Sequence, residues 1–324
     1  MTKKYDVVAL GELLIDMINT GESETGNPVF EANPGGAPCN VLAMLQKLGK
    51  KTAFIGKVGD DAFGKRLRSE IVSCGIDDSG LRVDENVPTT LAFVHKLENG
   101  DRDFSFYRDP GADVMLKEEE VDLSLIRDSK VFHFGSLSLS DEPSRSATKK
   151  AIAAAEEYGI LRSYDPNLRK PLWHSEEEAR EQILWGMKHC DILKIADNEI
   201  LWLTGEEDYD PAVSVLQKEF AIPLIALTLG AEGSRIYYQG KRIDIPPFPQ
   251  ETVDTTGAGD TYCACLLNGV LENGLKNLDE DQIRRFGVFA SAAAAIVTTR
   301  KGALKSMPDV ESVKKLADSC SVQD

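Results

Sequence analysis

Six apolar runs recur along the chain: YDVVALG, KTAFIGKVG, KVFHFGSLSL, ILRSYDPN, DILKIA and PLIALTLG. Between them lie stretches with the spacing of amphipathic helices, such as APCNVLAMLQKLGK (37–50) and PSRSATKKAIAAAEEYG (143–159). Strands followed by helices at this rhythm predict an α/β fold, with a mostly parallel central sheet and helices on both faces. Several runs end in Gly or Asp at the C-terminal side of the strand, where open α/β sheets bind ligands.

One segment breaks the rhythm. Residues 89–108, TTLAFVHKLENGDRDFSFYR, alternate apolar and polar positions on either side of ENGD. Asn99-Gly100 is a strong hairpin signal, because both central residues of such a turn need positive φ. A second irregular piece, 11–33, precedes NPGGAPCN. The two together predict a small β-sheet lid, inserted from 11–33 and 86–111 into a single α/β domain spanning 1–324. No repeat or Pro/Gly/Ser linker divides the chain, and the polar residues 318–324 are expected to fray.

The 324 residues suffice for one large α/β domain with an appendage. With 42% hydrophobic and 28% charged residues the chain reads as an ordinary soluble protein, not a disordered one. The 37 basic and 53 acidic side chains leave a net charge of −16, which disfavours nucleic acid and anionic membranes as partners. No apolar segment approaches membrane-spanning length, and MTKKYDVVALGELL lacks a cleavable apolar core. Six cysteines and four histidines show no paired ligand spacing for structural zinc. They read as incidental thiols in a reducing compartment, and the expected location is cytoplasmic.

Candidate chemistry begins at VDTTGAGD (253–260). Gly257, Ala258 and Gly259 precede DTYCACLLNGVL, whose apolar spacing suits a buried helix. A glycine-rich turn at a helix N-terminus aims several N–H groups and the positive dipole end at one point. Taken alone, the motif fits a plain helix capped by Thr255 or Thr256 as well as an anion site. It matches neither the Walker pattern nor the dinucleotide G-x-G-x-x-G. Asp260 would repel a phosphate, so a functional carboxylate there must address something else, such as a hydroxyl about to attack it. Backbone N–H groups would then stabilise charge on the moving phosphoryl group, while the carboxylate orients the hydroxyl and takes its proton. The plainer alternative is a first-turn acid favoured by the helix dipole.

NPGGAPCN (33–40) is a second glycine cluster leading into a helix. Gly35 and Gly36 let backbone approach a ligand, and Asn40 can both donate and accept hydrogen bonds, the mixture a sugar needs. A strand–helix turn with Asn40 near the cap explains the same residues. Asp16, among the apolar residues of ELLIDMI, either binds something or sits exposed on a lid strand.

GELLID, NPGGAPCN, AFIGKVGDDAFG, FSFYRDPGADVML, VFHFGSLSL, YDPNLRKPLW, TLGAEGS, VDTTGAGD and TTRKGAL occur in an order that resembles the ribokinase-like (PfkB) carbohydrate kinases, from about residue 5 to 315. Within that family the chain looks most like its fructokinase branch. The resemblance implies ATP-dependent transfer of the γ-phosphoryl group to D-fructose, with Mg²⁺ on the nucleotide and a homodimer formed through the lid. Carried over by position, Asp260 would be the catalytic base, and Gly257, Ala258 and Gly259 the anion hole. Asp16, Gly35, Gly36 and Asn40 would hold sugar hydroxyls, and Arg108 would reach the sugar or close the site. Asn167 and Arg169 would face the transferring phosphate and nucleotide, and Thr228, Gly230 and Gly233 would form the nucleotide loop.

Two departures from the family pattern matter. The Asn-x-x-Glu motif reads ADNE, so Glu199 aligns with the residue near the metal's water shell while Ala196 replaces Asn. The Gly-Ala-x-Pro motif reads GALK, with Lys305 where Pro is usual. A monovalent-cation site, possible for K⁺ in this family, would involve Asp254, Thr256, Gly302 and Ser306. The alternatives are the same chemistry on 2-keto-3-deoxygluconate or another sugar, and a catalytically silent sugar-binding regulator. A dinucleotide oxidoreductase requires a G-x-G-x-x-G that ALGELLIDM does not contain.

Overall fold

The computed structural model describes residues 3–96 and 102–320. Its first half runs β1 (Tyr5–Leu10), β2 (Leu14–Glu22), β3 (Pro28–Gly35), α1 (Ala37–Lys47), β4 (Thr52–Gly59), α2 (Ala62–Ser73), β5 (Asp77–Asp84), β6 (Leu91–Lys96), β7 (Arg102–Tyr107), α3 (Leu123–Arg127), β8 (Ser129–Gly135) and α4 (Ser144–Glu157). The second half runs β9 (Leu161–Asp165), α5 (Glu176–Lys188), β10 (Ile192–Ala196), α6 (Asp197–Thr204), α7 (Tyr209–Phe220), β11 (Leu224–Thr228), β12 (Ser234–Tyr238), β13 (Lys241–Ile245), α8 (Ala258–Asn273), α9 (Glu280–Val297) and α10 (Val310–Cys320).

Nine strands form the main sheet in the order β13-β12-β11-β10-β9-β8-β1-β4-β5. The seven from β11 to β5 are parallel, and β12 and β13 add an antiparallel edge. Alternation along each strand divides the core. Val7 and Ala9 of β1 face the side that carries α1, α8, α9 and α10, whereas Val8 and Leu10 face the side of α4, α5 and α7. Burial on both faces explains why the parallel strands read as nearly continuous apolar runs. Strand β1 pairs with β4 on one side and β8 on the other, so the order of strands reverses there. A crevice opens at the carboxyl ends of strands at such a reversal.

The lid is a separate four-stranded sheet, β3-β2-β6-β7. The stretch expected to be irregular contains two antiparallel strands, β2 and β3, with a register shift between Asn19 and Gly21. Strand β6 joins parallel to β2 and turns back antiparallel to β7, so the expected hairpin forms. The Asn99-Gly100 turn itself lies outside the described residues. Residues 318–320, expected to fray, belong to the last turn of α10, and 321–324 also lie outside the described residues.

Candidate active site

Helix α8 starts at Gly257, whose φ of 80° is the left-handed conformation that glycine adopts without strain. A Cβ there would also stand 2.9 Å from Cβ of Ala303. Neither Thr255 nor Thr256 caps this helix; no side chain does. By contrast, Asp61, Ser175 and Asp279 cap α2, α5 and α9, each accepting a backbone N–H. The first turn of α8 therefore presents Ala258, Gly259 and Asp260 with its dipole end uncapped, an arrangement suited to the phosphate oxygens of a nucleotide.

Asp260, third residue of α8, is buried at 8% exposure. Its Oδ2 accepts a 2.8 Å hydrogen bond from Nδ2 of Asn40. Asn40 is not at a cap: it lies inside α1, buried, and its Oδ1 has no hydrogen-bond partner. Burial and the nearby Asp165 carboxylate push the Asp260 pKa up, the Asn40 bond and the charges of Lys194 and Arg169 pull it down, and it settles at about 6. Asp260 is thus ionised at neutral pH and becomes protonated as pH falls through about 6.

The NPGG turn is built to close tolerances. Gly36 caps α1 with φ 126°, and a Cβ there would meet the Glu12 carbonyl oxygen at 2.4 Å. A Cβ on Gly35 would fall 2.3 Å from Oδ2 of Asp16, so the Asp16 carboxylate stands directly over that glycine. Glu12 accepts a 2.8 Å bond from the Ala37 N–H, and its burial raises its pKa to about 7. Asp16, Gly35, Gly36, Asn40 and Asp260 therefore converge at the meeting of lid, α1 and α8.

Asn167 occupies the turn after β9 with φ 46°, and Arg169 follows it, half-buried. Glu199, aligned with the residue near the metal's water shell, accepts two backbone N–H groups. Its Oε1 accepts from the Leu168 N–H at 2.6 Å and its Oε2 from the Ala196 N–H at 2.9 Å. The carboxylate thereby fastens the 165–169 turn to the start of α6, and supplies from N3 the bond to the Ala196 N–H that completes that helix start. Thr228 ends β11 in register with Ala196, and Gly230 and Gly233 take φ 55° and 95° in the loop beyond. Ser234, next in sequence, lies 2.8 Å (Oγ–Oη) from Tyr262, which ties this loop to α8.

Asp254 draws the remaining residues together. Its Oδ1 accepts from the Thr256 N–H at 2.8 Å and its Oδ2 from the Gly302 N–H at 3.2 Å. Ser306 Oγ donates to the Lys301 carbonyl and lies 3.9 Å from where a Gly302 Cβ would be. The four residues of the expected cation site are neighbours. No group of three His, Cys, Asp or Glu among the described residues could hold a metal ion.

Arg108, expected to reach the sugar or close the site, is held by its neighbours: its Nε and Nη2 each lie 2.8 Å from Oδ2 of Asp113, and Nη1 donates to Ser140 at 2.9 Å. The side chains are 3% and 2% exposed, so this is a buried ion pair pinning the end of β7.

The sequence reading missed a second ion pair. Lys194 of β10 and Asp165 at the end of β9 are buried beneath the glycine turn, 3.1 Å apart. A charged residue inside the apolar run DILKIA was the available signal. Glu12, in GELL, was missed in the same way.

Residues 4–310 match the model of the pfkB family carbohydrate kinases, and the chain belongs to that family. It is 43% identical over 304 residues to the probable fructokinase-2 of Arabidopsis thaliana, covering 93% of this chain and 92% of that one. Among solved structures it is similar to the fructokinase of Xylella fastidiosa with bound ATP: TM-score 0.89, 27% identity, covering 98% and 99% of the two chains. A fructokinase double mutant of Vibrio cholerae O395 holding fructose, ADP and a potassium ion gives TM-score 0.87 at 27% identity, covering 98% and 100%.

The buried Arg108–Asp113 pair generates a prediction. Arg108→Ala leaves the Asp113 carboxylate buried and unpaired, and is expected to lower stability by about 3–5 kcal/mol in urea unfolding. An unchanged unfolding midpoint, with the loss confined to sugar KM, would restore Arg108 as a sugar ligand.

Proposed function

We propose that this protein is an ATP-dependent fructokinase, transferring the γ-phosphoryl group of ATP to D-fructose to give fructose 6-phosphate. The observation that carries the reading is the 2.8 Å Asn40–Asp260 hydrogen bond beside an uncapped glycine turn. In a loose phosphoryl-transfer transition state, positioning and charge neutralisation do most of the work. The N–H groups of the 257–259 turn stabilise charge on the moving group, assisted by the helix dipole. Asp260, oriented by Asn40, holds the acceptor hydroxyl in line and takes its proton. Asp16, Gly35, Gly36 and Asn40 serve the sugar. Asn167, Arg169, Thr228, Gly230 and Gly233 serve the nucleotide. Mg²⁺, when bound with ATP, neutralises phosphate charge; Glu199 holds the turn that faces it.

A neutral sugar is favoured over 2-keto-3-deoxygluconate, because a substrate carboxylate would need a cation and Arg108 is committed to Asp113. The silent-regulator reading requires loss of the base or the turn, and both are intact. Five described cysteines are unpaired, and four of them buried, which suits the reducing cytoplasm. No described helix is long and apolar enough to cross a membrane.

Three outcomes test these assignments. Asp260→Asn keeps size and removes the base; fructose binding is expected to persist while kcat falls by about 10²–10⁴-fold or more. A variant turning over at the wild-type rate contradicts the assignment. Asp254, Thr256, Gly302 and Ser306 form the monovalent-cation site, so turnover is expected to be faster in K⁺ than in tetramethylammonium; equal rates remove that site. Finally, β3 and β7 are the edges of the lid, and an exposed edge invites pairing with another chain. Phe30, Phe93 and Tyr107 line one of its faces with ring centroids 5.2 Å apart, Tyr107 being 68% exposed. Light scattering at micromolar concentration is expected to give the mass of a dimer, and a monomer mass excludes the lid interface.

A further inference from the structure

Three adjacent strands present polar side chains to α8 from below. His133 of β8 is in register with Ser163 of β9, and its Nδ1 is 3.1 Å from Ser163 Oγ. Asp165 is two residues further along the same face of β9. Lys194 of β10 lies one position beyond the Leu193–Tyr164 pair. Its ammonium is 3.1 Å from Asp165 Oδ2 and 3.3 Å from Oδ1. Oδ2 faces the ammonium by charge, without a well-directed hydrogen bond. A Cβ on Gly259 would fall 2.8 Å from the Lys194 Nζ, so the charge lies directly against the glycine turn.

Such a pair is hard to explain by stability. Burying two charges costs several kcal/mol per ion, and apolar side chains of the same volume are often at least as stable. The pair's position suggests what it does. From the elements packed against it, Asp260 faces Asn40 on α1, Asp165 on β9, Arg169 in the turn after β9, Lys194 on β10, and Cys263 one turn along α8. Lys194 in turn faces Asp165, Glu199, Asp260 and His133. His133 is neutral, its pKa pushed to about 3 by burial and by the Lys194 charge. Beyond burial and the Asn40 bond, Asp165 opposes ionisation of Asp260 while Lys194 and Arg169 favour it.

We propose that Lys194 is a positioning residue for phosphoryl transfer: paired with Asp165 under Gly259, it sets the charge state of Asp260 and fixes the floor of the anion-binding turn. This rests on the assignment of Asp260 as base. Asp165 opposes ionisation of Asp260 and Lys194 favours it, so the two should act on the base with opposite sign.

The test is the pH profile of kcat/KM for fructose, over roughly pH 5 to 9, in wild type and three variants. Wild type is expected to lose activity below pH about 6. Lys194→Met should move that acid limb up by about one pH unit, Asp165→Asn should move it down, and the double variant should return it to within about half a unit. A Lys194→Met profile lowered by the same factor at every pH, its limb unmoved, is the signature of a merely structural lysine and overturns the proposal. If Lys194→Met does not fold because Asp165 is left buried and unpaired, Asp165→Asn reads the same coupling. An unmoved limb there overturns the proposal equally. Asp260→Asn with wild-type turnover would instead remove the base itself, whatever the Lys194 profiles show.

Discussion

A hydrogen bond from the Asn40 amide of α1 to the Asp260 carboxylate of α8 joins two helices that also share the apolar core, and most of the site depends on that junction. A buried carboxylate is costly unless its charge is met. Here an amide, a lysine, an arginine and the positive end of α8 share that task. Both helices begin at glycines whose bare backbone is closely approached by other groups. Gly36 clears the Glu12 carbonyl, Gly257 clears Ala303 and adopts left-handed backbone, and Gly259 clears Lys194. Deeper in α8, Gly269 lies against the Phe286 ring of α9, where a Cβ would come within 2.4 Å, so the helix is seated along its length.

An anionic ligand has to enter a site that is itself acidic. Asp16, Glu12, Asp165 and Asp260 lie around the crevice of a protein whose net charge is −16. With Lys194 paired to Asp165, the proposed function assigns the nucleotide phosphates to backbone N–H groups, the helix dipole and ligand-borne Mg²⁺. Fixed dipoles suit this task because they need no reorganisation when charge moves during transfer. In the proposed mechanism the carboxylates address hydroxyls and the peptide groups address phosphate. That division explains how an acid can adjoin an anion site: Asp260 need not touch the resting phosphate.

Much of this was legible in the chain. Continuous apolar runs mark strands covered on both faces, and the change to alternation at 89–108 marks the lid, whose sheet has one wetter face. Glycines before Asn40 and Asp260 mark the two close approaches, because local backbone demands leave a local trace. What local pattern could not show is pairing between distant residues. Arg108 donates to Ser140, 32 residues on, and Glu199 accepts from the Leu168 N–H, 31 residues before it, contacts that no local spacing announces. Lys194 was hidden differently: inside DILKIA it looks like one polar interruption of a strand, and only the register of β9 and β10 brings it to Asp165.

Everything in this account turns on Asp260 being a buried carboxylate whose ionisation is poised by its neighbours. The direct measurement is its own titration, followed by carbon-13 NMR of aspartate-labelled protein and assigned by the resonance missing from Asp260→Asn. Asp260 is expected to titrate at pH about 6 in the ligand-free protein. A carboxyl titrating near the ordinary aspartate value of about 4 would contradict it, since Asp260 would then be neither buried nor coupled as described.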